Sequence, residues 1–429
     1  MNRPNILYLH VHDLGRYCQP YGHAIPTPNV QRLAEEDVLF RQAFCAAPTC
    51  SSSRGALLTG QYPHSCGLPG LVNRGFDLEH PERHIVRTLR TAGYRSALIG
   101  TQHIRKDAST IGYDEIVDVR KKGAHNAAAE WFAGAPQQPF FASVGFGDTH
   151  RVYAELGPQE DERYCLPPLP LPDKAATRRD IAAFKASARI LDEKYGVVLD
   201  ALELAGLADN TLVICTTDHG IAFPKMKCNL NQHGCGVAFI MRGPGGFTGG
   251  KVRDALISQV DVYPTLCDLL DIGPPEWLQG RSFMPVVRGE TDEVNEHIFT
   301  ENTWHACYEP MRSVRTKRYS YVRRFDDRTR PILPNCDDGP SKDVWLENGW
   351  RDEPITKEQL YDLIFDPTEV NNLVDDPRLA DVLDDLRDRL DRFMHETDDP
   401  LLRGPVPMAP GGQYNDIDGL SPNEPLIQA

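Results

Sequence analysis

Four short apolar runs, Ile6 to Val11, Ser96 to Gly100, Phe140 to Phe146 and Thr211 to Thr217, each end in a cluster of polar residues. Bounded runs of this length read as buried strands. Helix-like segments lie between and after them. Thr27-Pro28 opens one through Leu33, with proline at the first helical position; Leu191 to Leu204 is amphipathic; Asp261 to Leu270 carries Pro264 in its first turn. Strand alternating with helix predicts an α/β fold, with a mostly parallel central sheet sandwiched by helices. In such sheets ligands bind where strands end and loops begin.

The clusters at those ends are His10-Val11-His12-Asp13-Leu14-Gly15, Gly100-Thr101-Gln102-His103, Gly147-Asp148-Thr149-His150-Arg151 and Thr217-Asp218-His219-Gly220. The same placement four times predicts that they converge on one crevice. His12, Asp13, Asp218 and His219 then make a metal shell of two carboxylates and two imidazoles. Mixed nitrogen and oxygen donors suit manganese, iron or zinc, whereas oxygen alone suits calcium or magnesium. His103 and His150 are candidates for proton transfer, because imidazole titrates near working pH.

A fifth element belongs to the same crevice. Cys45-Ala-Ala-Pro-Thr-Cys50-Ser-Ser-Ser-Arg54-Gly-Ala-Leu-Leu-Thr59-Gly60-Gln-Tyr62-Pro63 sets a cysteine, hydroxyls and an arginine at the mouth of an apolar helix. A helix N-terminus offers unpaired amides and partial positive charge, which suits an anion or an activated nucleophile. Arg54, one turn after Cys50, can fork onto an oxyanion at the same point.

The chain has 429 residues, 41% of them hydrophobic and 25% charged, as in ordinary globular proteins, and its length predicts two lobes. The texture changes near Met311. Residues 1–310 read as the catalytic lobe and 311–429 as a smaller C-terminal α+β lobe with an antiparallel sheet, including a strand at Tyr319 to Arg324 and a charged helix at Asp381 to His395. Between Cys165 and Asp173 a proline-dense stretch predicts a surface connection or a wall near the site entrance. Net charge is −15, which argues against nucleic acid, and no apolar run is long enough to span a membrane. No secretory signal is visible in the sequence as it stands, and eleven cysteines read better as reduced thiols than as a disulfide framework. Both predict a cytoplasmic protein.

The Cys50 stretch resembles the signature of the type I sulfatases of the alkaline phosphatase-like superfamily, a Cys-x-Pro-x-Arg context followed by a Leu-Leu-Thr-Gly turn. The resemblance extends from Arg3 to about Pro400. Within the family it looks closest to the heparan N-sulfatase (sulfoglucosamine sulfohydrolase) branch, through Asp218-His-Gly-Ile-Ala-Phe-Pro224, Pro310-Met-Arg312-Ser-Val314 and His395-Glu-Thr-Asp-Asp-Pro400. It implies oxidation of Cys50 to formylglycine and one divalent metal, calcium by family and manganese or zinc by the histidine-containing shell. It also implies His103 at the nucleophile, His150 at the leaving group, and a lysine on the ester oxygens, best matched by Lys227 with Lys225 second. Four positions depart from the family pattern: Ser52 replaces proline, His12 an aspartate, Thr101 a lysine and Gly147 a histidine. His305, Glu309, Arg312 and His233 are the expected subsite residues, with Glu301 behind them.

The activity so implied is hydrolysis of a sulfate ester or sulfamate, on a small molecule or a saccharide. A phosphonate monoester or phosphodiester hydrolase of the same superfamily is the alternative, and a non-catalytic ester-binding protein a third. The formylglycine-generating enzyme is an expected partner, nucleic acid and membranes are not, and a homo-oligomer is left open.

Overall fold

A computed structural model describes residues 3–429. The strands of the first lobe are β1 (Asn5–Val11), β2 (Val38–Phe40), β3 (Ala43–Phe44), β4 (Arg95–Gly100), β5 (Glu115–Val117), β6 (Phe140–Phe146), β7 (Thr211–Thr217), β8 (Phe239–Arg242), β9 (Lys251–Arg253) and β10 (Ile257–Ser258). β3 and β10 form a small parallel pair, and the others make one sheet in the order β5-β4-β6-β1-β7-β8-β2-β9. Only β8 runs against the rest.

Side chains alternate along β1 into two cores. Ile6 and Tyr8 face one side with Leu57, Leu58, Val86 and Leu266. Leu7, Leu9 and Val11 face the other, with Leu33, Ala128, Leu191 and Val198. Both faces are therefore dry, as a parallel sheet covered by helices requires. The helix expected at Leu191 in fact starts at Ala175 and ends at Leu204. Its first half buries Ile181, Ala182 and Phe184, an apolar stripe that extends the amphipathic pattern by four turns at the helical period.

The second sheet is antiparallel: β11 (Ile298–Trp304), β12 (Tyr308–Arg315), β13 (Tyr319–Arg324) and β14 (Glu358–Asp362). It begins within the stretch assigned from sequence to the first lobe. The helix Ala380–Glu396 packs on it through Leu383, Leu386, Leu390, Phe393 and Met394. Tyr62, Ala46 and Val260 of the first lobe join that core, so the two lobes share a dry seam.

Strands β4, β6, β1 and β7 are adjacent and parallel. The four polar clusters follow their C-terminal ends, which brings them to one edge of the sheet.

Candidate active site

Cys50 opens the helix Cys50–Thr59, every residue of which is buried, with extended Thr49 preceding it and left-handed Gly60 ending it. The first turn is held to its surroundings by hydroxyls: Ser51 Oγ accepts from Val72 N at 3.1 Å, and Ser53 Oγ donates to the Asp218 carbonyl at 2.5 Å. Ser52 Oγ is buried without a partner. Cys50 Sγ thus points at the strand ends, 3.2 Å from His219 Nε2 and 3.8 Å from Asp13 Oδ1. Burial pushes this thiol well above its ordinary pKa, so the unmodified side chain is neutral.

Asp218 organises the centre. Its Oδ1 accepts from the backbone N–H of Asp13 and of His219, each at 2.9 Å, and its Oδ2 accepts from Arg54 Nε and Nη2 at 3.2 and 3.1 Å. His12 Nδ1 lies 3.0 Å from Oδ2. Burial alone would raise its pKa, but His219 and Arg54 hold the carboxyl well below the usual range. His219 Nε2 stands 3.4 Å from Asp13 Oδ1, while its Nδ1 contacts the Gly220 carbonyl at 2.9 Å. Gly220 has no substitute, because a Cβ there would sit 1.8 Å from the His233 carbonyl oxygen. Asp13 and His103 hold left-handed backbone, φ 53° and 54°, a conformation that non-glycine residues adopt mainly where the surroundings impose it.

His12, Asp13, Cys50 and Asp218 each present a donor atom within 4.8 Å of the others. Two carboxylates and an imidazole at this spacing fit a divalent cation, and His219 stands against Asp13 beside them. Lys227 Nζ donates to Asp13 Oδ2 at 2.9 Å and lies 3.1 Å from Asp337 Oδ2. Burial opposes its charge, but these two carboxylates raise its pKa well above the ordinary value. His12 is 5.5 Å from His103 and 5.6 Å from His150, ring centre to ring centre. Burial lowers the His12 pKa to about 4 and that of His103 to about 3, so both imidazoles are neutral near pH 7. His12, His103 and His150 open into a cavity of about 970 Å³. Gly147 lines it, and a Cβ added there would meet nothing within 4 Å.

The expected subsite residues divide. His305 is buried in the field of Lys227 and Asp337, and burial lowers its pKa to about 3. Glu309 instead accepts from Arg324 and Asn335, at 3.0 and 2.7 Å. Arg312 commits Nε and Nη2 to Asp399, at 2.5 and 3.0 Å, and Nη1 to Thr303 and backbone carbonyls, and it is fully buried, away from the cavity facing His12, His103 and His150. His233 contacts the Tyr17 hydroxyl at 2.8 Å and lines a separate cavity, together with Cys165 to Leu169 of the proline-dense stretch. Glu301 holds His64, accepting at 2.9 Å from its backbone N–H.

Two residues at the centre were not assigned from sequence. Asp337 reaches Lys227 from the loop after β13, where no motif marks it. His10 contacts Arg54 Nη1 at 2.6 Å and Ser143 Oγ at 3.1 Å. Its signal was position alone, one residue before the end of β1.

A family model described as Sulfatase matches residues 4–272, and one described as N-sulphoglucosamine sulphohydrolase, C-terminal, matches residues 226–342. The N-sulphoglucosamine sulphohydrolase of Homo sapiens is 29% identical, over 94% of this chain and 92% of that protein. An ulvan-active sulfatase of Formosa agariphila is 26% identical, over 91% of this chain and 75% of its own length. Among solved structures, a 2-O GAG sulfatase superposes with TM-score 0.72 at 21% identity, covering 94% of each chain. Another, in complex with its substrate D-glucosamine-2-N,6-O-disulfate, gives 0.70 at 17% identity, covering 92% of this chain and 98% of that one. The first match runs through all four strands whose ends build the cluster; the chain belongs to the sulfatase family, a sulfuric ester hydrolase by descent.

Proposed function

We propose that the chain hydrolyses a sulfate ester or sulfamate of a sugar, with residue 50 as the nucleophile after oxidation of Cys50 to formylglycine. The observation that carries this is the position of Cys50 Sγ, at a buried helix N-terminus and 3.2 Å from His219 Nε2 and 3.8 Å from Asp13 Oδ1. A buried neutral thiol is a poor nucleophile, whereas a hydrated aldehyde supplies a hydroxyl.

His12, Asp13, Asp218 and His219 would hold one divalent cation, which supplies positive charge to the sulfuryl oxygens when bound. The nitrogen donors support manganese or zinc over calcium. Arg54 keeps Asp218 ionised and oriented. Lys227 and His150 face the departing oxygen or nitrogen and supply its proton. Neutral His103 accepts a proton from the residue 50 hydroxyl.

Similarity to N-sulphoglucosamine sulphohydrolase across nearly the whole chain supports a sugar sulfamate or sulfate as substrate. The imidazoles of the shell favour a phosphonate monoester as the second reading. Eleven free cysteines support a reducing, cytoplasmic setting, with conversion of Cys50 by a formylglycine-generating enzyme. No described helix is long and apolar enough to cross a membrane.

The test is a parallel assay with glucosamine N-sulfate, a sugar O-sulfate and an aryl phosphonate monoester, with metal analysis of the same preparation. Sulfate release that disappears in Cys50→Ala is expected. Phosphonate turnover exceeding sulfate turnover would replace this reading with the second.

A further inference from the structure

The cavity facing His12, His103 and His150 has four cations in its walls, Arg74, Arg105, Lys106 and Arg151, and no carboxylate. In a chain of net charge −15 this is a local reversal of sign. Arg151 is already neutralised, its guanidinium forked onto Asp180 at 2.9 and 2.8 Å. Arg54 and Lys227 likewise have carboxylate partners. Among the described residues Arg74, Arg105 and Lys106 have none.

Arg105 is also held in place before any ligand arrives. Its Nη1 donates to the Leu78 carbonyl at 2.5 Å and its Nε to Thr110 Oγ1, leaving Nη2 without an acceptor among the described residues. The loop that carries it is folded around Gln102, whose Oε1 accepts from the Ile104 and Arg105 N–H groups at 2.7 and 3.0 Å. Gln102 Nε2 returns a bond to the Arg105 carbonyl at 2.5 Å. Arg74 donates through Nη2 to the Pro422 carbonyl of the C-terminal tail at 3.3 Å. A fixed guanidinium loses little entropy when it captures an oxyanion. Asp77, which accepts from the Lys106 backbone N–H at 3.1 Å, and Asp107 stand outside the cavity lining, so the three cations share a wall with no carboxylate in it and repel one another until an anion enters. The bound sulfuryl group does not need them, since the residue 50 cluster has its own charges.

We propose that Arg74, Arg105 and Lys106 form a second anion subsite, which holds a carboxylate or a further sulfate of a polyanionic saccharide apart from the sulfate that is cleaved. This rests on the reading of the cavity as the substrate site.

The test is equilibrium binding by calorimetry in the Cys50→Ala variant, where no turnover interferes. The probes are glucosamine 2-N-sulfate, glucosamine 2-N,6-O-disulfate, and a disaccharide joining a uronate to N-sulfated glucosamine. At least one doubly anionic probe is expected to bind about tenfold more tightly than the monosulfate, the scale of one charge-assisted contact. The probe that gains tells carboxylate from sulfate. Adding Arg105→Gln should remove most of that gain. If Arg105→Gln fails to fold, Lys106→Gln, on an exposed side chain, makes the same comparison. Equal affinity for all three probes, no measurable binding of any, or equal weakening of all three by the substitution would overturn the subsite. Selective binding together with no sulfate release by the unsubstituted protein would leave the subsite standing and remove the hydrolase reading.

Discussion

Lys227 and Asp13 form a buried ion pair, Nζ to Oδ2 at 2.9 Å, at the point where the loop after β7 meets the end of β1. With Asp337 at 3.1 Å on its other side, the ammonium ties the Asp13 carboxylate of the first lobe to a loop of the second. Replacing Lys227 by Met keeps most of the volume and takes the ammonium partner from buried Asp13 and partly buried Asp337. Such a change costs about 3–5 kcal/mol of stability and loss of a proton donor about 10²–10⁴ in rate. Denaturant titration and kcat/KM on a sugar sulfate should both show it. Retention of wild-type kcat/KM would remove Lys227 from the leaving-group role.

Arg312, Asp399, His64 and Glu301 make a second buried charge cluster at the lobe seam, Arg312 Nε lying 2.5 Å from Asp399 Oδ2. Asp399→Asn takes from Arg312 the carboxylate it forks onto, leaving Glu301 at 3.8 Å as the remaining anion, and should lower stability by about 1.5–3 kcal/mol. KM should change little, because this cluster does not line the cavity facing His12, His103 and His150. A large rise in KM at unchanged stability would restore Arg312 as a subsite residue.

Ser52 stands in the first turn of the signature helix, where its N–H has no backbone acceptor and its Oγ no partner. Proline is therefore tolerated there, as it is where amides are unpaired at a helix start. Ser52→Pro should fold normally and increase the fraction of chains converted at position 50, read by peptide mass spectrometry. An unchanged or lower fraction would show that the serine is no handicap.

Burial raises the pKa of Asp37 to about 7, against an ordinary value of 3.8. The folded state then binds more protons than the unfolded state between those values. This contribution to stability is present below about pH 4 and is lost as pH rises through about 7. Asp37→Asn removes the titration. Its melting temperature, relative to wild type, should gain as pH increases from 4 to 8; a constant difference across that range would refute the shift.

Strand ends and motifs made much of this molecule legible. β6 and β7 have the bounds expected from sequence, and β1 begins one residue early, because apolar runs buried on both faces leave little choice of register; β13 also has its expected bounds, although it carries Ser320, Arg323 and Arg324. The clusters after β1, β4, β6 and β7 converge because adjacent parallel strands all end at one edge. Contacts made from the second lobe were not legible. Asp337 has no neighbouring motif, and the partner of Arg312 lies 87 positions along the chain at Asp399. Long side chains near a seam choose among many acids, and sequence spacing carries no information about which.

The central claim concerns the chemical state of residue 50. Trypsin should release the peptide Gln42–Arg54, which holds both Cys45 and Cys50. After unfolding and alkylation of protein that releases sulfate from a sugar sulfate, mass spectrometry should find one alkylated thiol, at Cys45. Residue 50 should carry an aldehyde, with the sulfur replaced by oxygen. Fully active protein whose peptide carries two alkylated thiols would contradict the account.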